Sequence, residues 1–248
     1  MKLLLIGAGN MGGAMLKGLH IYDITAVVSH KQRADELKAL YPSINIVSSI
    51  PSLDAYIVIL AIKPQSLDNL VVQGKAKGLI SVLAGVTIET LKTKIDAESY
   101  IRAMPNMAAS VQKSATSICG DSDLKETSIE LLNSIGVCFW LTSEDQLDIA
   151  SGLAGSAPAW LALVAEALSD GAVNLGLKRE LTYKYIAALF EGVGVVLQEE
   201  HPALLKDKVT SPKGTTIAGL AALEEGRVRD SFIKAMEASY DRAKKLSK

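Results

Sequence analysis

Hydrophobic residues arrive along this chain in two rhythms. Through residue 141 they come as short runs: Lys2–Ile6, Thr25–Val28, Asn45–Val47, Tyr56–Leu60, Leu79–Leu83, Ser99–Arg102, Ala115–Cys119 and Val137–Leu141. Runs rich in Leu, Ile and Val, with little polar alternation, suit strands buried on both faces. Stretches of helical spacing lie between them, among them Met11–Leu19, Lys31–Leu40 and 123–135. Strand alternating with helix predicts an α/β fold with a doubly wound, mostly parallel sheet. After Ser143 the strand signal stops. Gly152–Pro158 is a break of small residues, so the domains are expected at 1–151 and 152–248. Beyond the break, Ala159–Leu175, Glu180–Glu200, Pro202–Val209, Thr215–Glu225 and Arg227–Lys248 read as helices by period and by the placement of Gly and Pro. Ala157, Ala159, Ala162, Ala165 and Ala167 make the first of these slim. An all-helical half with few aromatics has difficulty burying its own apolar faces, and self-association is the natural remedy.

The first strand runs straight into Gly7-Ala-Gly9-Asn-Met-Gly12-Gly13, and a helix follows. Strand, glycine turn, helix is the context that gives GxGxxG its meaning as the dinucleotide loop of a Rossmann-type sheet. Gly7 permits the tight turn, Gly9 lets a pyrophosphate approach the backbone, and Gly12 lets the helix pack on the strand. At the end of the second strand an NAD site usually places Asp or Glu to grip the ribose 2′-hydroxyl. This chain has Ser29, followed by His30, Lys31 and Arg33. A hydroxyl with nearby cations accepts a 2′-phosphate, which points to NADPH, with NADH as the alternative. Lys31 and Arg33 also suit a plain solvated helix. Three later strand ends carry small or polar turn residues that jointly outline a cleft: Ala61-Ile-Lys63-Pro64-Gln65, Ala84-Gly85 and Ala103-Met-Pro-Asn106.

Composition narrows the chemistry. The 248 residues are 49% hydrophobic and 21% charged with a formal net charge of −1, so a core is available and no nucleic-acid partner is implied. The longest apolar run, Ala55–Ile62, is far too short to cross a bilayer, and the amino terminus reads as a strand and not as a signal peptide. The two cysteines, Cys119 and Cys138, have no metal-ligand or redox spacing, and the three histidines are scattered. Metal hydrolysis and Ser-His-Asp catalysis are therefore not expected, no metal site is assigned, and a cytoplasmic location is the default.

A second candidate site lies late in the chain. Pro212 and Gly214 break what precedes them, and Ile217, Leu220, Ala221 and Leu223 then fall at helical spacing. Thr215 and Thr216 therefore open a helix, beside amides that have no partner inside it. Those donors, the positive dipole end and two hydroxyls make a socket for a small carboxylate. An ordinary Thr-capped helix is the plainer reading.

Over nearly its whole length the chain resembles the pyrroline-5-carboxylate reductases. The resemblance rests on Ile6-Gly-Ala-Gly-Asn-Met-Gly12, Ala61-Ile-Lys-Pro-Gln65, Ala84-Gly-Val86, Arg102-Ala-Met-Pro-Asn106, Gly155-Ser-Ala-Pro-Ala159, His201-Pro202 and, most specifically, Leu205–Ile217. It implies a Rossmann domain followed by an all-helical dimerisation domain, with dimers assembled further into rings in many members. The implied activity is hydride transfer from NAD(P)H to 1-pyrroline-5-carboxylate, giving L-proline. Implied cofactor contacts are Ile6, Gly7, Ala8, Gly9, Asn10, Met11, Ser29, Lys31, Ala61, Ile62, Lys63, Pro64, Val82, Leu83 and Ala84. Implied substrate contacts are Glu144, Glu199, Gly214, Thr215 and Thr216, with the Thr216 hydroxyl near the ring nitrogen as the catalytic group. Each glutamate also fits a solvated helix position.

The chain departs from the family pattern at several points. Lys213 stands where glycine is usual, Met107 where threonine is usual, and Ala154 where serine is usual; Ala188–Glu191 lacks the usual Gln. Lys213 either adds a cation to the carboxylate socket or crowds it with a Cβ. Two rival readings remain: another Rossmann reductase with a helical second half, such as a 3-hydroxyacid dehydrogenase, or a dinucleotide-binding sensor or scaffold without turnover.

Overall fold

A computed structural model describes residues 1–246. Its first part alternates strands and helices in the order β1 (Lys2–Ile6), α1 (Asn10–Leu19), β2 (Asp23–Val27), α2 (Lys31–Leu40), β3 (Asn45–Val47), β4 (Ile57–Leu60), β5 (Gly78–Ser81), α3 (Ile88–Lys94), β6 (Tyr100–Met104), β7 (Ser114–Gly120), α4 (Lys125–Asn133) and β8 (Gly136–Trp140). Helices α5 (Glu144–Ala150), α6 (Ala157–Asn174), α7 (Arg179–Val196), α8 (Pro202–Lys208), α9 (Thr215–Glu225) and α10 (Val228–Leu246) complete it.

One eight-stranded sheet has the order β3-β2-β1-β4-β5-β6-β7-β8. All neighbours pair in parallel except β6 and β7. That exception follows from the connection. Residues 105–113 hold only a short 3-10 turn, and a parallel return needs a crossover of a dozen or more residues. Alternate residues of the central strands feed two apolar layers. Leu3, Leu5, Ile59, Ile80 and Ile101 pack with Met15, Leu16 and Leu19 of α1 on one face. On the other face Leu4, Ile6, Val58, Leu60 and Leu79 pack with Leu91 and Ile95 around α3. Burial on both faces explains why these strands read as unbroken apolar runs.

The chain divides into two compact units. One comprises Met1–Gly155 with the end of α10 from Ser239 onward, and the other Ser156–Ala238. In the first, α5 leads into a π-helical turn that begins at Ser151. Asp145 of α5 accepts hydrogen bonds from Tyr240 Oη at 2.8 Å and Lys244 Nζ at 2.6 Å. In the second, α6 and α7 pack together, and the hydroxyls of Ser169 and Thr182 are buried against each other. Ile186 is the one hydrophobic side chain of residues 156–238 that is buried; Leu161, Leu163, Tyr185, Val195 and Ile233 are among those exposed. The stretch Glu144–Asn174 is long and apolar enough to cross a membrane by length and composition alone. Its first turns, however, carry acids held in ion pairs by Arg102 and Lys244, which suits a globular protein and not a bilayer core.

Several helix boundaries differ from the sequence expectation: α4 spans Lys125–Asn133 and not 123–135, α6 starts at Ala157 and not at Ala159, and α8 ends at Lys208 and not at Val209. Helix α7 stops at Val196, so Glu199 lies in the turn that follows it, ahead of Pro202, which opens α8. Helix α10 starts at Val228 and not at Arg227, because Arg227 adopts a left-handed φ of 52° at the end of α9. Strand β5 also ends early, at Ser81, where the Leu83 N–H turns to the Ser81 hydroxyl at 3.3 Å.

Candidate dinucleotide site and carboxylate turn

The cofactor residues expected from sequence gather at the carboxyl edge of β2, β1, β4 and β5, four neighbouring strands. Gly7 turns the chain with φ at 98°, and a Cβ there would stand 2.7 Å from the carbonyl oxygen of Ala61. At Gly12 a Cβ would stand 2.0 Å from the Gly7 carbonyl oxygen, so only glycine lets α1 start this close to β1. Gly9 is different. It caps α1 in an extended conformation, and a Cβ built on it meets no heavy atom within 4 Å. The space above Gly9 is open, and the first amides of α1 point from its amino end with no side-chain cap and no acid in the first turn. That is a cradle a pyrophosphate fits and a side chain would fill.

Ser29, His30 and Lys31 are exposed beyond β2, with no acid among them. Arg33 reaches back from α2 to donate from Nε to the Ala8 carbonyl at 3.1 Å, and it pairs with Glu36 at 3.0 Å. Its Nη2 lies over the first turn of α1, 2.2 Å from where a Cβ on Gly13 would be. A hydroxyl and two cations thus stand where an NAD-specific site would carry an acid, which suits a 2′-phosphate.

Ala61 and Val82 extend the edge: Ala61 N–H donates to the Ile6 carbonyl at 2.8 Å and Val82 N–H to that of Leu60 at 3.0 Å. Lys63 precedes a 3-10 turn at Pro64–Ser66. Ile6, Ala8 and Leu83 are buried, so they can offer a ligand only main-chain atoms. Ala84 is exposed, and Gly85 turns the chain with φ at 72°.

Glu144 opens α5 and has partners of its own. Its Oε1 accepts from the Ile88 N–H at 3.0 Å and from Arg102 Nη1 at 2.8 Å. Arg102 Nη2 reaches Asp148 at 3.3 Å. Arg102 is 2% exposed, Asp148 8% and Glu144 34%. Sequence reading missed this cluster; the signal was an arginine inside an otherwise apolar central strand. Nearby, burial pushes the Cys119 thiol up to about 11, with Arg102 opposing. Asn106 closes the β6 end: its side chain accepts from the Ala108 N–H and donates to the Ala154 carbonyl, both at 3.0 Å. The Ala154 contact uses only backbone, so it does not depend on which small side chain stands there. Met107 is 73% exposed.

In the helical unit, Gly214 caps α9 and no side chain caps it. Thr215 is exposed and Thr216 half-buried at the first two positions of the helix. Gly214 N–H donates to the Ser211 carbonyl at 3.1 Å, and Lys213 between them takes a left-handed φ of 60°. A side-chain-bearing residue in that conformation costs about 1 kcal/mol, which is why glycine suits the position better. Glu199 is exposed.

A doubly wound sheet with a glycine cradle and a cationic, acid-free ribose end defines the chain as an NADP-dependent oxidoreductase. The family model described as NADP oxidoreductase coenzyme F420-dependent matches residues 2–85, and that described as Pyrroline-5-carboxylate reductase dimerisation matches 144–246. A pyrroline-5-carboxylate reductase of Helicobacter pylori strain J99 is 34% identical over 94% of this chain and 95% of its own length. The solved structure of a pyrroline-5-carboxylate reductase from Coxiella burnetii superposes with a TM-score of 0.89 at 31% identity, over 99% of this chain and 98% of that one. A Plasmodium falciparum pyrroline carboxylate reductase, solved with NADP bound, gives 0.77 at 25% identity over 100% and 98%. The chain belongs to the pyrroline-5-carboxylate reductase family.

Proposed function

We propose that this protein reduces 1-pyrroline-5-carboxylate to L-proline with NADPH, and that it works as a homodimer formed through its helical unit. One observation carries the reading: a chain with this glycine cradle and this Thr215-Thr216 helix start is, end to end, about one-third identical to reductases of that name, 34% in the Helicobacter pylori case. When bound, NADPH supplies the hydride.

The amides of Asn10–Gly12 take the pyrophosphate, and Ser29, Lys31 and Arg33 take the 2′-phosphate. The amides that open α9, with the Thr215 hydroxyl, take the substrate carboxylate. Thr216 holds the ring by a hydrogen bond at its nitrogen. A cyclic imine accepts hydride as its protonated iminium: hydride adds to the imine carbon (C2 of the pyrroline, which becomes C5 of proline), the π pair moves to nitrogen, and nitrogen keeps its proton. No strong general acid is needed, so the protein contributes mainly by position. Glu199 is the glutamate assigned to favour the iminium charge; Glu144 already serves Arg102 and Ile88.

The dimer follows from the apolar surface of the helical unit. Trp160, Leu163, Val164, Leu168, Leu223 and Phe232 line a groove of about 550 Å³. A second copy is the occupant that the matched dimerisation model favours. Oxidation of NADPH and of NADH, each followed by its absorbance with racemic 1-pyrroline-5-carboxylate, tests the function. Turnover faster with NADPH is expected. Dinucleotide binding without turnover would favour the sensor reading, and turnover only with 3-hydroxyacids the dehydrogenase reading.

A further inference from the structure

We propose that Arg102 and Glu144 form a positioning pair, fixing the segment on which the nicotinamide half of the dinucleotide rests. This deepens the reductase reading and depends on it for the identity of the ligand. Segment 82–87 leaves β5 and ends where α3 begins. Its near end is held by the Val82–Leu60 backbone bond and by buried Leu83. Its middle is held less closely: Ala84 is exposed and Gly85 is left-handed, and side-chain anchorage returns only at buried Val86. Its far end is tied twice. Thr87 Oγ1 accepts from the Thr90 N–H at 3.1 Å, and the Ile88 N–H donates to Glu144 Oε1 at 3.0 Å.

The second tie is specific because of Arg102. A half-exposed glutamate alone would sample several rotamers. The same Oε1 that receives the Ile88 amide receives Arg102 Nη1 at 2.8 Å, and Arg102 is itself buried within the sheet. Its other nitrogen, Nη2, reaches Asp148, one turn on from Glu144 in α5. The planar fork therefore fixes both the Glu144 rotamer and the rotation of α5. A rigid line runs from the interior of β6 through Glu144 to the first amide of α3, and so to segment 82–87. An ion pair serving stability alone has no need to share its carboxylate with that amide.

The test compares two ligands across four proteins: wild type, Glu144→Ala, Glu144→Gln and Arg102→Lys. NADP⁺ engages both halves of the site, and adenosine 2′,5′-bisphosphate only the half built by the glycine loop, Ser29 and Arg33. Glu144→Ala is expected to weaken NADP⁺ about tenfold while leaving the bisphosphate within about twofold. It is also expected to lower kcat by roughly ten- to a hundredfold, the scale of a small misplacement. Glu144→Gln keeps an acceptor for both N–H groups and should recover most of each loss; Arg102→Lys, which can reach only one carboxylate, should fall between. Equal weakening of both ligands would mean general loss of structure and would overturn the proposal. So would a Glu144→Gln protein as slow as Glu144→Ala with normal NADP⁺ affinity, the mark of a charge acting directly on substrate. If Glu144→Ala does not fold, the NADP⁺-to-bisphosphate affinity ratio of Arg102→Lys decides: a lowered ratio supports the pair and an unchanged one defeats it. A wild-type protein that binds NADP⁺ but does not reduce 1-pyrroline-5-carboxylate would end the reductase reading alone, since the two-ligand comparison needs no turnover.

Discussion

Alanine at Gly9 and alanine at Gly12 should have opposite effects, although the two positions are one helical turn apart. At Gly9 the added methyl meets no heavy atom within 4 Å, and the backbone is already extended at φ −70°, ψ −152°. The folded contacts are left intact, and the unfolded chain loses some freedom, so stability should stay within about 1 kcal/mol of wild type. Binding should suffer, because the methyl fills the space through which a pyrophosphate reaches the first amides of α1. Losing one or two charge-assisted hydrogen bonds, at about 1.5–3 kcal/mol each, weakens NADPH by roughly ten- to a hundredfold or more.

At Gly12 the methyl would lie 2.0 Å from the Gly7 carbonyl oxygen and 3.4 Å from the Ala61 Cβ. The first obstacle is backbone and cannot rotate away, so α1 or the loop must move. Overpacking of this kind costs about 1–3 kcal/mol, which for a chain of this size lowers Tm by roughly 3–10 °C. Circular-dichroism melting reads stability, and calorimetric titration with NADPH reads binding. A Gly9→Ala protein with wild-type NADPH affinity would refute the cradle. A Gly12→Ala protein with wild-type Tm would refute the packing argument.

Four further outcomes are expected. Ser29→Asp should lower the NADPH/NADH ratio of kcat/KM about tenfold or more through repulsion of a 2′-phosphate, screened by solvent at this exposed position; an unchanged ratio means the ribose end was misplaced. Thr216→Ala should reduce kcat by about ten- to a hundredfold with the NADPH Kd nearly constant, and matched losses in both would count against its assigned role. Leu163→Glu, which places a charge in the apolar groove of the helical unit, should shift sedimentation from dimer toward monomer, and an unchanged dimer would sink that interface. Burial holds the Cys119 and Cys138 thiols at about 11, above their ordinary 9.0, so the folded protein favours the neutral thiol. Their contribution to stability is therefore complete below about pH 9 and is lost as pH rises toward 11. Near neutrality neither should react quickly with a disulfide reagent, and rapid labelling of the native protein would contradict that.

Several features are legible along the chain because each depends on neighbours in sequence. The bounds of β1, α2, β3 and α9 follow from local apolar period and from the glycines and prolines beside them. The dinucleotide loop is readable because its three glycines answer needs within a few residues of one another. Where local reading slipped, a competing local geometry won: Arg227 turned left-handed at the end of α9, and Leu83 left the strand for the Ser81 hydroxyl. The partners of Glu144 were not legible, since its spacing suits a solvated helix position equally well.

The order of residues by itself determined the alternation of strand and helix, the glycine cradle, the missing acid after β2 and the threonine pair that opens α9. These are matters of period, φ preference and side-chain chemistry within one turn of chain. Tertiary structure alone decided that Arg102 meets Glu144 across 42 residues and that Tyr240 and Lys244 meet Asp145 across 95 and 99. It also decided that Arg33 lies over the start of α1. With 26 basic and 27 acidic side chains, spacing cannot say which pairs meet. That choice belongs to the packing of the sheet, where a buried guanidinium must find carboxylates or leave its charge uncompensated.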